Sequence, residues 1–250
     1  MQRGGRFRGY LQERLDGVAP SRRLRLAAAE ALIVELRGEG PLRVIDAACG
    51  DGLLSTALAK RHPEWQVVGL DNSEVLLAKA RARAKAASLD NVSFQQADLT
   101  RPLPLGDQDV VIAIECLAEI PQDREAVRQM AEALRPGGLF VVHVPDRDWR
   151  PILPGSAATW RDEVRHGYAP EELRQLLREA GIEQVAVSPT YRSLAAIAQE
   201  TRDRFRRSPL PLRAALSPFL LAAVWLERRG ITWGRPSAML ASGSAPAAGE

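Results

Sequence analysis

Residues 43–52 read Arg43-Val44-Ile45-Asp46-Ala47-Ala48-Cys49-Gly50-Asp51-Gly52, an apolar run that ends in small residues and glycines. This pattern predicts a buried strand that turns tightly into a helix. A helix that begins beside such a turn presents free backbone N–H groups, which suit a polar or anionic ligand. A dinucleotide fingerprint needs three glycines at set spacing, and only Gly50 and Gly52 occur here, so a nicotinamide cofactor is disfavoured.

Outward from this stretch, strand patterns alternate with helical ones. The segments that read as strands are 43–45, 67–70, 92–94, 109–114 and 139–144. Several of them lack a polar face, which indicates a parallel sheet covered by helices on both sides. Right-handed crossovers then give a doubly wound α/β fold. Because ligands of such sheets bind beyond the carboxyl ends of the strands, the residues just after each strand are the candidates for function.

Composition sets the class of protein. The chain has 250 residues, of which 46% are hydrophobic and 26% charged, as expected for one globular core. The longest apolar run, Pro218–Leu226, has about half the roughly 18 residues that a membrane span needs. The arginine-rich start has no apolar core, so no secretory signal is expected. Two cysteines cannot form a disulfide framework, which favours a cytoplasmic location.

Charge is unevenly distributed along the chain. The net charge is +3, too small to indicate a nucleic-acid partner. Residues 1–25 and 201–229 each contain seven arginines and two acidic residues, a local charge of +5. Solvated basic faces and a dedicated anion-binding surface both remain open for these two segments.

Polar side chains follow three further strands. Asp71 and Asn72 follow the second, where a carboxylate can accept both hydroxyls of a ribose or simply cap a helix. Asp98 and Leu99 follow the third, where a carboxylate can accept from an exocyclic amine or lie in a surface turn. The fourth strand leads into residues 115–121. Together, in this order, these groups suit a nucleoside with a charged tail.

The whole set resembles the class I S-adenosylmethionine-dependent methyltransferases. The matching segments are 44–52, 69–73, 97–99, 109–121 and 134–138. The resemblance covers about residues 24–145 closely and reaches about residue 190 more loosely. It implies a mostly parallel, seven-stranded, Rossmann-like sheet that ends in an antiparallel hairpin. Residues 185–187 look like the first strand of that hairpin and residues 237–241 like the second.

The same resemblance implies S-adenosylmethionine as the cofactor. The glycine-rich loop, with Asp46 behind it, would hold the methionine part, Asp71 the ribose and Asp98 the adenine amino group. One departure is Ala48, where the family usually has glycine. The implied cofactor-binding residues are Tyr10, Asp46, Ala48, Cys49, Gly50, Gly52, Leu53, Asp71, Asn72, Asp98, Leu99, Glu115 and Cys116. No metal site is expected.

Three side chains are candidates for removing a proton from the acceptor. Glu119 occupies the place where many small-molecule relatives have histidine, His143 ends the fifth strand, and His166 precedes a helix from Pro170. Two plain alternatives stay open, because Glu119 also suits a helix start at the surface and a lone strand-end histidine is often structural. Cys49 and Cys116 are best interpreted as packing thiols.

The organisation of the chain follows from these assignments. We expect a helical cap at 1–40, an α/β core at 41–190, a helical insertion at 191–236, the last strand at 237–242 and a flexible tail at 243–250. Ser217-Pro218 predicts the start of an apolar helix in the insertion. Its partner is the acceptor pocket, a second subunit, a membrane surface reached through 202–229, or the protein's own core. Trp149, Trp160 and Tyr168 are either pocket walls or core residues.

The function that these patterns favour is methyl transfer to a small-molecule acceptor, at an oxygen. A sugar, a phenolic or polyketide-like metabolite and a lipid-linked precursor all remain open as acceptors. The alternatives are a catalytically inactive partner subunit and an RNA or protein methyltransferase, for which no nucleic-acid-binding appendage is evident. A dehydrogenase is the weakest alternative, and the oligomeric state is open.

Overall fold

The computed structural model describes residues 20–156, 164–205, 208–231 and 233–247. In chain order the elements are α1 (Pro20–Arg37), β1 (Arg43–Ala47), α2 (Leu53–Arg61), β2 (Gln66–Asp71), α3 (Glu74–Ala86), β3 (Val92–Gln96), β4 (Gln108–Ile114), a short 3₁₀ helix (Leu117–Glu119), α4 (Asp123–Glu132), β5 (Leu134–Pro145), α5 (Pro170–Glu179), β6 (Glu183–Tyr191), α6 (Ser193–Arg204), α7 (Leu210–Arg228) and β7 (Ala238–Ser244).

One sheet of seven strands runs through the molecule in the order β3-β2-β1-β4-β5-β7-β6. The first five strands pair in parallel, and β7 lies antiparallel between β5 and β6. The strand order changes direction at β1, so the carboxyl ends of β1 and β4 flank a natural ligand crevice. The predicted α/β fold, with its mostly parallel sheet and terminal hairpin, is confirmed.

Two apolar layers cover the sheet because successive side chains of a strand point to opposite faces. On one face Val44, Ile112 and Val141 pack beneath α1 and α2. On the other face Ile45, Phe140 and Val142 are in the core that contains α4 and α5. The strands therefore lack a polar face for the reason inferred from sequence, and polar side chains concentrate at the strand ends.

The insertion between β6 and β7 contains helices α6 and α7. Because β6 ends and β7 begins at the edge where the parallel strands have their carboxyl ends, both helices lie at that edge. The predicted start of α7 at Ser217 is wrong, because the helix begins at Leu210 and continues through Pro218. A proline in the first turn, Pro211, suits this earlier start. The Ser217 hydroxyl donates to the carbonyl of Arg213 at 2.9 Å within the helix.

The last strand also differs from its predicted limits. It runs to Ser244 rather than ending at residue 242, and the chain beyond it remains bonded to the sheet. The N–H of Ala245 donates to the Gly138 carbonyl at 2.8 Å, and the Gly137 N–H donates to the Pro246 carbonyl at 3.0 Å. The prediction of a flexible tail from residue 243 is therefore wrong up to residue 246, because the extended start of β5 offers backbone partners there.

Candidate cofactor site

The loop after β1 is folded against the end of β2. The N–H of Cys49 donates to the Leu70 carbonyl at 2.9 Å, and the N–H of Gly50 donates to Asp71 Oδ2 at 2.8 Å. Ala48, Gly50 and Gly52 have positive φ angles of 55°, 56° and 71°. Alternating left-handed residues turn the chain sharply at the carboxyl edge of the sheet. The backbone of this loop is thereby held at the start of α2.

The glycines of this region have different reasons to be glycine. A Cβ atom at Gly52 would lie 2.6 Å from the Ala80 Cβ atom, so close packing of α2 on α3 excludes a side chain. A Cβ atom at Gly69 of β2 would lie 2.6 Å from the Phe94 ring. At Gly50, by contrast, a Cβ atom would meet nothing within 4 Å. Open space therefore adjoins the backbone at Gly50, as a ligand would require.

Asp71 connects the loop to the turn after β2. Its Oδ2 atom accepts the Gly50 N–H at 2.8 Å, and its Oδ1 atom accepts the Ser73 N–H at 2.9 Å. The side chain is 7% exposed. A carboxylate has about four lone-pair sites, so two remain for a ligand after these two bonds. Asp71 can therefore hold the loop and accept from ligand hydroxyl groups at the same time.

A cavity of about 410 Å³ opens beside this loop. It is lined by Arg25, Leu26, Asp46, Ala48, Cys49, Gly50, Asp51, Leu53, Leu54, Leu76, Lys79, Ile114 and Glu115. Six of the predicted cofactor residues, Asp46, Ala48, Cys49, Gly50, Leu53 and Glu115, are brought together here. Sequence reasoning missed Arg25 and Lys79, the two basic lining residues. Both are on helices, and only the three-dimensional fold brings those helices to the edge of the sheet.

Asp46 lies at the inner end of the cavity. It is 2% exposed and accepts a hydrogen bond from the Ser55 hydroxyl at 2.5 Å. Burial raises the pKa of Asp46 to about 7, and the nearby Asp71 carboxylate adds to the shift. A carboxyl group with this pKa is poised near neutrality, so a cationic ligand in the cavity would favour its ionised form.

The other predicted cofactor residues that the structure describes are not part of the cavity lining; these are Gly52, Asp71, Asn72, Asp98, Leu99 and Cys116. Asn72 is exposed, and its carbonyl accepts from Gln96 Nε2 at 2.9 Å. Asp98 is exposed, with Oδ1 bonded to the Thr100 N–H at 2.9 Å and to its hydroxyl at 2.7 Å. These bonds hold the pKa of Asp98 below its usual value, so the group is ionised at neutral pH. Leu99 next to it is buried.

Both cysteines of the site are buried thiols. Burial raises the pKa of Cys49 and of Cys116 well above the ordinary thiol value. The carboxylate of Asp46 contributes to both shifts. Since the thiolate is the nucleophilic form, neither side chain suits covalent catalysis. Of the two, Cys49 lines the cavity and Cys116 packs in the core behind it.

A series of polar contacts connects the cavity to the buried His143 in the interior of the sheet. Arg25 Nη1 lies 2.8 Å from Glu115 Oε2, and Glu115 Oε1 lies 2.6 Å from His143 Nδ1. The series continues from His143 Nε2 to the Thr190 hydroxyl at 2.8 Å. Sequence reasoning proposed Glu115 and His143 separately but missed Arg25 and Thr190, which join them from α1 and β6.

The protonation states of Glu115 and His143 follow from their contacts. Burial raises the pKa of Glu115, but Arg25 and His143 outweigh burial, so the pKa of Glu115 lies below its usual value. Burial lowers the pKa of His143, so the ring is neutral at neutral pH. An ionised carboxylate only accepts, and therefore His143 Nδ1 carries the proton while Nε2 accepts from Thr190. His143 is fully buried and does not line the cavity, so this geometry suits a residue that positions Glu115.

The two other candidate bases are exposed at the surface, whereas His143 is fully buried. His143 is on the α1 face of the sheet, as are Leu139 and Val141 at alternate positions of the same strand. Glu119 is exposed on the 3₁₀ helix after β4, and His166 is exposed in the segment before α5. The two segments meet where the Val164 N–H donates to the Ala118 carbonyl at 2.9 Å. Glu119 and His166 thus belong to one surface region and His143 to the interior.

The aromatic residues proposed as pocket walls have separate positions. Tyr168 is fully buried, and its hydroxyl donates to Asp123 Oδ2 at 2.7 Å. Tyr168 therefore fills the core between α4 and α5, and its pocket-wall interpretation is wrong. Trp149 is half-buried after β5. Tyr10 and Trp160 lie outside the described residues.

The described residues contain neither a metal-binding cluster nor a helix that could span a membrane. Within 20–156, 164–205, 208–231 and 233–247, no three histidine, cysteine or acidic side chains are grouped so that they could hold a metal ion. In the same part of the chain, no helix combines the length and apolar character that crossing a bilayer requires.

Comparison of the sequence with known proteins identifies named relatives. The trans-aconitate 2-methyltransferase of Acidovorax ebreus is 31% identical over 147 residues, which cover 57% of this chain and 55% of that protein. The trans-aconitate 2-methyltransferase of Deinococcus radiodurans is 36% identical over 103 residues, or 41% of this chain and 38% of that protein. The chain thus spans about half the length of the curated relatives it matches.

Solved structures share the fold. The cyclase SpnF superposes with a TM-score of 0.64 at 22% identity, covering 87% of this chain and 80% of that one. Phosphoethanolamine N-methyltransferase 2 of Haemonchus contortus, in complex with S-adenosyl-L-methionine, has a TM-score of 0.60 at 17% identity, covering 83% of this chain and 49% of that one. At such identities the likeness shows the fold alone, and a cyclase among the neighbours illustrates that fold does not fix function.

A family model described as a methyltransferase domain matches residues 39–181, which is more than half of the chain. The match includes the loop after β1, Asp71 and the polar residues after β3 and β4, all of which the structure places at one edge of the sheet. The chain belongs to the class I S-adenosylmethionine-dependent methyltransferase family.

Proposed function

We propose that this chain transfers the methyl group of S-adenosylmethionine to an oxygen atom of a small-molecule acceptor. The observation that carries the proposal is the bond from the Gly50 N–H to Asp71 Oδ2, beside a cavity at the carboxyl edge of the sheet. It joins an open backbone surface to a carboxylate with spare acceptor capacity. This combination suits a ligand that has both an amino-acid part and a ribose.

The residues present fit the cofactor. Gly50 leaves open space at the loop, and Asp71 has two lone-pair sites for ribose hydroxyls. Asp46, with its pKa near neutrality, would balance positive charge in the cavity. When bound, S-adenosylmethionine supplies an electrophilic methyl group on a sulfonium. The contribution of the chain is to orient the acceptor and to exclude water.

The names of the relatives point to one class of acceptor. Those proteins are named as methyltransferases of trans-aconitate, a carboxylate. Two basic side chains, Arg25 and Lys79, line the cavity, and Lys79 has no ion-pair partner among the described residues. A carboxylate acceptor is therefore our first candidate, and a hydroxyl acceptor of a sugar, a phenol or a lipid-linked precursor is the second.

The two acceptor classes differ in their need for a base. A carboxylate is already ionised at neutral pH, so no residue has to remove a proton from it. A hydroxyl group requires a base, and Glu119 or His166 would serve, because both are exposed and their segments meet through the Val164–Ala118 backbone bond. In either case we propose that His143 acts through Glu115, by holding that carboxylate against Arg25.

The test is methyl transfer with purified protein. S-adenosylmethionine labelled in the methyl group would be incubated with a panel of carboxylates and a panel of hydroxyl compounds. Labelled methyl esters, with unchanged turnover in Glu119→Gln and His166→Gln, support a carboxylate acceptor. Labelled ethers, with turnover lost in one of these variants, support the hydroxyl class. Transfer to neither panel by protein that binds the cofactor would contradict the proposal and favour an inactive partner subunit.

The location and assembly of the protein stay predictions. We infer a cytoplasmic location from the presence of only two cysteines, which cannot form a disulfide framework. The oligomeric state is open, and light scattering of the purified chain would measure it directly.

A further inference from the structure

Helix α7 carries an apolar face that the described part of the protein leaves exposed. Residues three or four positions apart lie on the same side of a helix, so exposed apolar side chains at that spacing form one stripe. Phe219 and Trp225 are 73% and 54% exposed. The stripe, which we name the α7 outer face, consists of Leu212, Ala215, Phe219, Ala222 and Trp225, all exposed.

The opposite side of α7 explains why this face is left outside. Leu220 and Val224 are buried, and Val224 belongs to a small apolar cluster with Leu24 of α1 and Ala195 of α6. The helix is therefore anchored by one side and exposes the other. Residues 218–226 are apolar all round, which in the sequence calls for burial, yet only Leu220 and Val224 of that run are buried.

The segment of sequence that contains α7 is strongly basic. Between Asp203 and Glu250 the sequence has seven arginines, no lysine and a single acidic residue, Glu227. Glu227 is buried, where its Oε2 atom accepts the Ala195 N–H at 3.1 Å and its Oε1 atom accepts the N–H of Arg192. The carboxylate is thus used internally, and the charged residues that this stretch exposes in the described part of the chain are Arg204, Arg229 and Arg235.

Arginine and aromatic side chains are adjacent at the C-terminal end of the face. The Arg229 guanidinium carbon lies 4.6 Å from the centre of the Trp225 ring. Two further exposed apolar residues, Ile231 and Trp233, and the exposed Arg235 follow in the loop after α7. Aromatic rings with arginines beside them are typical of helices that lie in the interface of a membrane.

We propose that the α7 outer face docks on the surface of an anionic lipid bilayer. The apolar side chains would enter the boundary between headgroups and acyl chains, while arginines stay with the lipid phosphates. A second copy of this chain is a poorer occupant, because two surfaces of the same positive charge would face each other across a symmetric contact. The inference goes beyond the proposed function and does not depend on methyl transfer.

The position of the face gives this docking a consequence. Helix α1 contributes Leu24 to the cluster with Val224 and contributes Arg25 and Leu26 to the lining of the cavity. The α7 outer face and the candidate cofactor site are therefore separated by one helix, at the same edge of the sheet. Docking would bring that edge towards the bilayer, where an amphiphilic acceptor would be found.

Vesicle flotation of the full chain tests the proposal. One set of vesicles is phosphatidylcholine alone, and the other is phosphatidylcholine and phosphatidylglycerol in equal parts. We expect flotation with the anionic vesicles at physiological ionic strength, little with neutral ones, and weaker flotation at high salt. Absence of flotation with anionic vesicles, or equal flotation with both kinds, would overturn the proposal.

Matched variants locate the surface. The double variant Phe219→Ser, Trp225→Ser removes exposed side chains, and we expect its partition to anionic vesicles to fall at least about tenfold. Leu36→Ser, which removes an exposed leucine of α1, is the control and should change nothing. The charge variant Arg229→Glu, Arg235→Glu should weaken binding without removing an apolar residue. Unfolding curves establish that each variant is folded.

Two results would overturn the assignment to α7. One is full vesicle binding by both double variants, which would put the membrane contact elsewhere. The other is a dimer, detected by light scattering without vesicle binding and lost in the Phe219→Ser, Trp225→Ser variant. In that case the occupant of the face is a second copy of the chain.

Discussion

Replacing Asp71 by asparagine separates the two tasks that the structure gives this side chain. The carboxylate accepts the Gly50 N–H at 2.8 Å and the Ser73 N–H at 2.9 Å. An asparagine keeps one acceptor oxygen, and its amide NH₂ then faces a backbone N–H. One bond to a charged acceptor is lost, which we expect to lower the free energy of unfolding by about 1.5–3 kcal/mol.

The same substitution weakens binding of the cofactor. With the carboxylate reduced to one oxygen acceptor, a bond to one of the two ribose hydroxyls is lost as well. At about 1.5–3 kcal/mol, the dissociation constant for S-adenosylmethionine should rise about 10- to 150-fold. Urea unfolding and calorimetric titration of the same preparation measure the two effects separately.

Asp109 provides the matched control. It lies at the start of β4, at the opposite edge of the sheet, and accepts the Arg43 N–H at 2.7 Å and a bond from Arg135 Nε at 2.5 Å. Asp109→Asn should lower stability by a similar amount and leave cofactor binding unchanged. Wild-type affinity in Asp71→Asn would refute the ribose assignment, and wild-type stability would refute the role of Asp71 in holding the loop.

Three further predictions concern the same edge of the sheet. Gly50→Ala places a methyl group in the open space beside the loop, so affinity for S-adenosylmethionine should fall at least about tenfold. The left-handed backbone at this position should also cost the alanine variant about 1 kcal/mol of stability. Unchanged affinity in calorimetry would show that the cofactor does not use this space. Ala48→Gly relieves a left-handed alanine at φ 55° and should raise the urea midpoint, by up to about 1 kcal/mol of stability; a lower midpoint would contradict this. Folding raises the pKa of Asp46 from 3.8 to about 7, so between these pH values the folded protein keeps a proton that the unfolded chain releases. The free energy of unfolding should therefore fall as pH rises from about 4 to 7 and then level off. Asp46→Asn should remove that fall in urea unfolding at pH 5 and pH 8, and an unchanged fall would assign it to another group.

The fold could be predicted because its signals are local and repeated. Apolar runs such as 109–114, each followed by a turn or a helical pattern, specify a parallel sheet without reference to distant residues. The residues after β1 and β2 lie at the carboxyl edge of the sheet, as predicted, because the end of each strand can be located in the sequence. Helix α7 shows the limit, because two prolines, Pro211 and Pro218, both suit a helix start and the sequence alone does not decide between them.

Side-chain partners were much less accessible to sequence reasoning. His143 was expected to face the site. The alternation of β5 turns it to the α1 face, but its ring is fully buried, and Glu115 and Thr190 bond to its two nitrogens. Which face a residue occupies follows from strand register, and a shift of one residue reverses it. Arg25 and Lys79 reach the cavity from helices whose rotation depends on packing. Such contacts join residues far apart in the chain, and no spacing rule connects them.

Calorimetric titration of the purified chain with S-adenosylmethionine, and separately with S-adenosylhomocysteine, is the most direct test of the proposed cofactor site. We expect each compound to bind with a micromolar dissociation constant at one site per chain. Failure of both to bind to folded protein that is free of co-purified ligand would contradict the assignment of this edge of the sheet as a working cofactor site.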